Sequence, residues 1–412
     1  MSLANKTIVI GVTGGIAAYK TPDVVRALVT AGARVRVIMT DAAEHFVTPL
    51  TLQAVSGQPV ARSLFDLTAE SEMGHIRLAD TADALVIAPA TANVIAKLAN
   101  GLADDLLGTV ALATRAPVLV CPSMNVHMYE HPTVRRNLAC LRDMGLTILA
   151  PDTGFLACGY VGAGRLPDAA VIVEEVAALI DPKDLAGLRV VVSAGPTWEA
   201  LDPVRYVANR SSGKMGYAVA RIAHRRGAKV TLVSGPTSLP PLRGVHVIPV
   251  VSAREMEQAI LGEAVTADVV VMAAAVGDFR PADASRHKIK RGRTDLELRL
   301  VPNPDILAEL GALKGPRLLV GFAAETRDLV ANARRKLQAK GVHLMIANDV
   351  TAEGAGFDVD TNIVTILDRS GCVERLDKMS KDEVTAAILD RVVELHRTRA
   401  GARVQRRQPR RR

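Results

Sequence analysis

At 412 residues the chain is too long for one ordinary hydrophobic core and points to two domains. It is 49% hydrophobic but only 3% aromatic, so Ala, Val, Leu and Gly carry the apolar mass, which suits helices packed on parallel sheets and disfavours an all-β sandwich. The net charge of +8 does not mark a nucleic-acid-binding surface, because six arginines fall in the last ten residues and leave +2 for the rest.

Cys121, Cys140, Cys158 and Cys372 form no CxxC pair, so neither a zinc site nor a disulfide framework is expected, and a reducing cytoplasm fits. The apolar run Ile8–Val12 is too short for a signal segment or a membrane span and reads as a first strand. No membrane and no nucleic-acid partner is expected.

The first half alternates apolar runs with helical stretches. The predicted strands are Thr7–Ile10, Val35–Met39, Ala84–Ala88, Val118–Cys121 and Thr147–Leu149. They are apolar throughout rather than alternating, as in strands covered on both faces. After the first strand comes Gly11-Val12-Thr13-Gly14-Gly15-Ile16, whose backbone N–H groups could hold a phosphate; a tight turn without a ligand is the plainer reading. The second strand ends on Thr40 rather than an acidic residue, which argues against NAD and is compatible with a mononucleotide phosphate. Pro89-Ala90-Thr91-Ala92-Asn93 and Pro122-Ser123-Met124-Asn125 follow the next strands, two polar turns at adjacent carboxyl ends where α/β ligands bind.

These segments, with Met73-Gly74-His75-Ile76, Gly154-Phe155-Leu156-Ala157-Cys158-Gly159 and Gly162-Ala163-Gly164-Arg165, resemble the flavin-containing cysteine decarboxylases over residues 5–180. The resemblance implies a flavodoxin-like domain over 1–180 that binds FMN through Gly14, Gly15, Thr40, Thr91, Asn93 and Met124. It further implies that His75 assists thiol oxidation, Asn125 holds the carboxylate and Cys158 protonates the intermediate. Gly159, Gly162 and Gly164 suggest a flap over the substrate.

The pattern breaks at residues 181–188, read as a linker, and restarts at Arg189. Predicted strands follow at Lys229–Ser234, Val245–Val250, Val269–Ala274, Leu318–Phe322, Leu344–Ala347 and Asn362–Leu367, so the whole chain is expected to be α/β with two doubly wound, Rossmann-like domains. Residues 275–304 are polar, basic and broken by Pro and Gly, a long irregular insertion after a strand end. Asn209-Arg210-Ser211-Ser212-Gly213-Lys214-Met215-Gly216 lacks P-loop spacing, yet its small residues and Lys214 can cradle phosphates. Lys336 and Lys340 are four apart on a predicted helix: a solvated basic face, or a pair drawn together by an anion.

The ordered set of SAGPTWE, NRSSGKMG, AAAVGDF, KIK, NPDI, GFAAET and ANDV resembles the phosphopantothenate–cysteine ligases over residues 188–395. That resemblance implies a CTP-dependent ligase domain over 189–398. Ser212, Gly213, Ala273, Ala274, Asp278, Lys288, Asn303, Pro304, Asp305, Ile306, Phe322, Lys336 and Lys340 would surround CTP, Asp278 would meet Mg2+, and Asn209 would steady an acyl-cytidylate. Lys288 or Lys290 would aid transfer. The fusion is similar to bifunctional bacterial enzymes of coenzyme A biosynthesis, which implies 4'-phosphopantothenate and L-cysteine as substrates and self-association into a dodecamer. The basic segment 399–412 is expected to be disordered.

Overall fold

The computed structural model describes residues 3–64, 74–157, 159–290, 296–325, 327–349, 356 and 358–407. The chain divides into two compact units, Met1–Asp181 and Pro182–Arg412.

In the first unit, β1 (Thr7–Val12), β2 (Arg34–Met39), β3 (Val60–Ala61), β4 (Ala84–Ala90), β5 (Val118–Pro122) and β6 (Thr147–Ile148) form a parallel sheet in the order β3-β2-β1-β4-β5-β6. Setting aside the two-residue edge strand β3, this is the flavodoxin-like order, and its direction reverses between β1 and β4. The apolar runs are explained by burial on both sides. Ile8, Ile10 and Val12 pack into one core, while Val9 between them joins Ile38, Leu85 and Ile87 in a second core on the opposite face. Each such side chain contributes about 1.5–3 kcal/mol through burial. The segment read as a flap is an antiparallel hairpin of β7 (Asp152–Phe155) and β8 (Val161–Arg165).

The second unit is built on β9 (Arg189–Ala194), with a short hairpin of β10 (Trp198–Ala200) and β11 (Tyr206–Ala208) following it. The main sheet continues with β12 (Lys229–Ser234), β13 (His246–Pro249) and β14 (Val269–Met272). Here 275–304 is not wholly irregular: β15 (Phe279–Pro281) and β16 (Leu300–Pro302) pair antiparallel near its two ends. Then come β17 (Leu318–Glu325), β18 (Leu344–Asp349), β19 (Thr361–Asp368) and β20 (Val373–Ser380). The eight-stranded order is β13-β12-β9-β14-β17-β18-β19-β20, parallel as far as β18 and antiparallel beyond it. Alternate residues again divide between two cores, Val190 and Val192 facing one and Val191 the other.

Of the segment expected to be disordered, residues 399–407 fall within the last helix and residues 408–412 lie outside the described residues. The last helix runs Lys381–Arg407 without a break at residue 399, because Arg and Ala are strong helix formers and sustain a helix already anchored by Val384, Ile388, Leu389 and Val392.

His343 stands beside this helix. Its Nδ1 accepts the Leu319 N–H at 3.0 Å, and its Nε2 lies 2.9 Å from Nη1 of Arg399. Burial first, then Arg369 and Arg399, lowers its pKa to about 4. The unfolded imidazole takes up a proton near its ordinary value, so His343 stabilises the fold above that value, and its contribution is lost as pH falls toward the folded pKa, at most about 3 kcal/mol. Thermal unfolding followed from about pH 7 to 5 should therefore show a shallower loss of Tm in His343→Gln than in wild type. Parallel curves would contradict this role.

Candidate active sites

The first unit carries a cleft of about 1120 Å³ at the carboxyl ends of its strands. All six residues expected around the flavin line it: Gly14 and Gly15 after β1, Thr40 after β2, Thr91 and Asn93 after β4, and Met124 after β5. Asn125 lines it too. The local reasons are steric and polar. A Cβ on Gly14 would come 2.3 Å from the Cβ of Ala42, so only glycine lets the two turns close together. The buried hydroxyl of Thr13 donates to the Pro89 carbonyl at 2.7 Å and accepts the Thr91 N–H at 3.1 Å, tying the β1 turn to the β4 turn. Thr91 caps the helix Ala92–Ala99, and Asn125 caps Val126–Glu130 by accepting the His127 N–H at 2.8 Å.

The hairpin closes this cleft through Gly164. Its carbonyl accepts from the Ser123 hydroxyl and the Met124 N–H, both at 3.1 Å, and a Cβ there would come 2.1 Å from the Met124 carbonyl oxygen. The walls combine apolar Met39, Leu107 and Leu166 with the cations Lys20, Arg62, Lys97 and Arg165. A flat ring system beside a phosphate is chemically suited to that lining. Sequence reasoning passed over Lys97, which sits against Asp104 and Asp105 at 2.7 and 3.0 Å; Asp104 first among these contacts raises its pKa.

His75 is not among the residues lining the cleft. It is the second residue of the helix Gly74–Thr81, and its Nδ1 is buried without a hydrogen-bond partner among the described residues. Cys158 lies outside the described residues.

The second unit has its own cleft of about 760 Å³, again at strand carboxyl ends. Asn209, Ser212, Gly213, Ala273, Ala274, Asp278, Asn303, Pro304, Asp305, Ile306, Phe322, Lys336 and Lys340 all line it. Lys288 and Lys290 do not; both are exposed, and they lie in the segment preceding residues outside the description.

Its floor is a backbone shelf that follows β14. The Ala274 N–H is held by Ser193 Oγ at 3.1 Å, and the Gly277 N–H by Thr197 Oγ1 at 2.9 Å. On the carbonyl side, Asn209 Nδ2 donates to Val276 at 2.9 Å and Asn303 Nδ2 to Gly277 at 2.8 Å. Small side chains over a backbone fixed this way leave a flat surface that a planar base can cover. Gly213 has φ 78°, in the left-handed region, and a Cβ there would meet Thr237 Cγ2 at 2.7 Å, so glycine is required where the chain enters the helix Lys214–Arg225.

The lysines around the rim already hold anions. Lys336 pairs with Glu325 at 2.7 Å, Lys340 with Asp305 at 3.2 Å and Lys214 with Asp360 at 2.7 Å. The Lys214 contact comes first in holding the Asp360 carboxyl below its usual range. Lys381, which sequence reasoning missed, is buried at the cleft and donates to the Val359 carbonyl; burial first, then Lys214, lowers its pKa. In Ser380-Lys381-Asp382-Glu383 it looks like a solvated helix start, and no local signal distinguishes it. Among the described residues no group of three or more His, Cys, Asp or Glu could hold a metal ion.

Comparison with known proteins bears on both units. A family model described as "Flavoprotein" matches residues 1–181, and one described as "DNA/pantothenate metabolism flavoprotein C-terminal domain" matches residues 185–395. The coenzyme A biosynthesis bifunctional protein CoaBC of Bacillus subtilis (strain 168) is 49% identical over 397 residues, covering 95% of this chain and 98% of that protein. Its namesake from Escherichia coli (strain K12) is 50% identical over 376 residues, covering 90% and 93%. Among solved structures, the C-terminal domain of a coenzyme A biosynthesis bifunctional protein CoaBC is 39% identical with a TM-score of 0.45, covering 52% of this chain and 97% of that one. The FMN-dependent cysteine decarboxylase SpaF is 32% identical with a TM-score of 0.38, covering 43% and 99%.

The crowding at Gly164 has a measurable consequence. Gly164→Ala should purify with a much weaker visible flavin band than wild type, because the added methyl drives the hairpin off the Met124 turn. An unchanged flavin-to-protein ratio would show that this contact does not shape the cleft.

Proposed function

The chain belongs to the family of coenzyme A biosynthesis bifunctional proteins, and from that premise we propose that it joins L-cysteine to 4'-phosphopantothenate and then decarboxylates the product to 4'-phosphopantetheine. Ligation is assigned to residues 189–398 and decarboxylation to residues 1–180. The observation that carries this reading is the pair of clefts, one in each unit, each at the carboxyl ends of parallel strands and each lined by a different chemistry.

In the ligase cleft the shelf at Ala273 and Ala274 receives the cytosine of CTP. Ser212, Gly213, Lys336 and Lys340 take its phosphates, the two lysines exchanging their present carboxylate partners for the nucleotide. Asp278 holds Mg2+, which when bound neutralises phosphate charge. The phosphopantothenate carboxylate attacks the α-phosphorus, forming an acyl-cytidylate while pyrophosphate leaves. The cysteine amine then attacks the acyl carbon and CMP departs, a far better leaving group than oxide. Asn209 steadies the acyl-cytidylate, and Lys288 or Lys290 stabilises charge during transfer. Asn303, Pro304, Asp305, Ile306 and Phe322 complete the pocket.

In the decarboxylase cleft Gly14, Gly15, Thr40, Thr91, Asn93 and Met124 hold FMN. FMN, when bound, would supply the two-electron oxidation that turns the thiol into a thioaldehyde, the electron sink for the carbanion left by CO2, and the reduction that later restores the thiol. Asn125 orients the substrate carboxylate, His75 accepts the thiol proton and Cys158 returns a proton to the product. His75 lies outside the lining of a single chain's cleft, which fits a site completed by a second copy in a dodecamer. Work in the cytoplasm accords with free cysteines such as Cys121 and Cys140.

Asn209→Ala should slow the cysteine-dependent step by roughly 10- to 1000-fold, in the range of lost transition-state donors, while acyl-cytidylate accumulates and decarboxylation of supplied 4'-phosphopantothenoylcysteine continues. Mass spectrometry of a reaction lacking cysteine reads the intermediate directly, and loss of both activities together would contradict the assignment. Pyrophosphate release should require CTP; equal turnover with ATP would remove the cytosine from the reading. Cys158→Ser should release CO2 and stall before product, and normal turnover by that variant would exclude Cys158 as the proton donor.

A further inference from the structure

Asp202 is a buried carboxylate outside the ligase cleft, with a side chain 0% exposed. It sits in the turn between β10 and β11, and both its oxygens are fully engaged. Oδ1 accepts the Val204 and Arg205 N–H groups, each at 2.8 Å. Oδ2 accepts Arg205 Nε at 3.0 Å, Arg205 Nη2 at 2.7 Å and the Ile289 N–H at 3.1 Å.

The arrangement is unusual in what it grips. The same Arg205 guanidinium also donates to the Ile289 carbonyl, so one side-chain pair holds both backbone polar groups of Ile289. A second tie, from the Ser285 N–H to the Leu201 carbonyl at 2.9 Å, fixes the chain four residues earlier. Ile289 is flanked by Lys288 and Lys290. In extended chain those two side chains share the side opposite to that of Ile289. Three residues beyond this turn β11 ends at Ala208, and Asn209 enters the cleft with its amide on the Val276 carbonyl. One turn therefore anchors both the Asn209 approach and the lysine-bearing segment.

Burial by itself would push Asp202 toward its neutral form, but the N–H groups of Val204, Ile289 and Arg205 and the Arg205 guanidinium outweigh it and hold its pKa at about 2. The carboxylate is thus charged wherever the enzyme works. A buried charge used only to close a short turn would not need a partner 87 residues away.

We propose that Asp202 is a positioning residue of the ligase site, its carboxylate holding Ile289 so that the Lys288-Ile289-Lys290 segment is presented to the reacting phosphate from a fixed backbone. This rests on the ligase reading above. Asp202 touches neither substrate nor nucleotide; it acts through the lysine segment.

The test uses the full chain carrying Asp202→Asn, which keeps one oxygen for the turn amides and replaces the other with a group that accepts nothing. With CTP and 4'-phosphopantothenate but no cysteine, kcat for pyrophosphate release should fall roughly 10- to 100-fold while KM for CTP stays within about twofold, since loss of alignment costs rate rather than ground-state binding. Trypsin should cut after Lys288 or Lys290 about tenfold faster as the segment opens. Ile289→Pro, which deletes the donated N–H without touching the carboxylate, should reproduce the fall in kcat and the faster cleavage after Lys290, the bond after Lys288 being resistant to trypsin once a proline follows it. Wild-type kcat in either variant, or a fall in kcat with unchanged tryptic cleavage, overturns the proposal. A wild-type enzyme that releases no pyrophosphate from CTP refutes the ligase reading instead, and the trypsin comparison still reports whether Asp202 holds the segment.

Discussion

A parallel strand covered on both faces can present chemistry only at its ends, and this constraint organises both halves of the molecule. Val9 and its neighbours Ile8 and Ile10 face opposite cores, as Val191 does against Val190 and Val192, so no central strand has a free side on which a site could form. Where such strands stop, backbone groups leave the ladder and must find other partners. The turns that satisfy them are the walls of the two clefts. Thr13 and Thr91 do this in the first unit, and Ser193, Thr197, Asn209 and Asn303 in the second.

The clefts differ in how they treat charge. In the first, glycines at 14, 15 and 164 bring backbone close to the ligand space, and apolar side chains cover much of the wall. In the second, each of Lys214, Lys336 and Lys340 has a carboxylate partner, so an incoming anion would have to displace a carboxylate rather than neutralise a bare cation. Ion pairs exposed to water are weak, which makes displacing the well-exposed Asp360 and Asp305 inexpensive in free energy, whereas Glu325 is largely buried.

The strand runs were readable because burial on both faces leaves an unbroken apolar signature. Glycine and polar turns at the ends of those runs marked where the clefts would be, and residues such as Thr40, Asn93, Asn303 and Asp305 are gathered around them. Short hairpins left no such mark. β10, β11, β15 and β16 have three residues each and little buried surface, so neither periodicity nor composition announces them. Low apolar content at the arginine-rich end suggests disorder, whereas a helix begun on a packed face runs on to Arg407 through residues of high helix propensity.

The sequence by itself therefore determined the two parallel sheets, the turns that end their strands and the small and polar residues that those turns carry, because each depends on neighbours close along the chain. Only the tertiary structure decided which distant groups meet. That Lys381 lies buried at the second cleft and that Asp202 grips Ile289 are contacts across dozens of residues. They are made by single side-chain atoms whose partners are fixed by packing, and no local pattern encodes such a meeting.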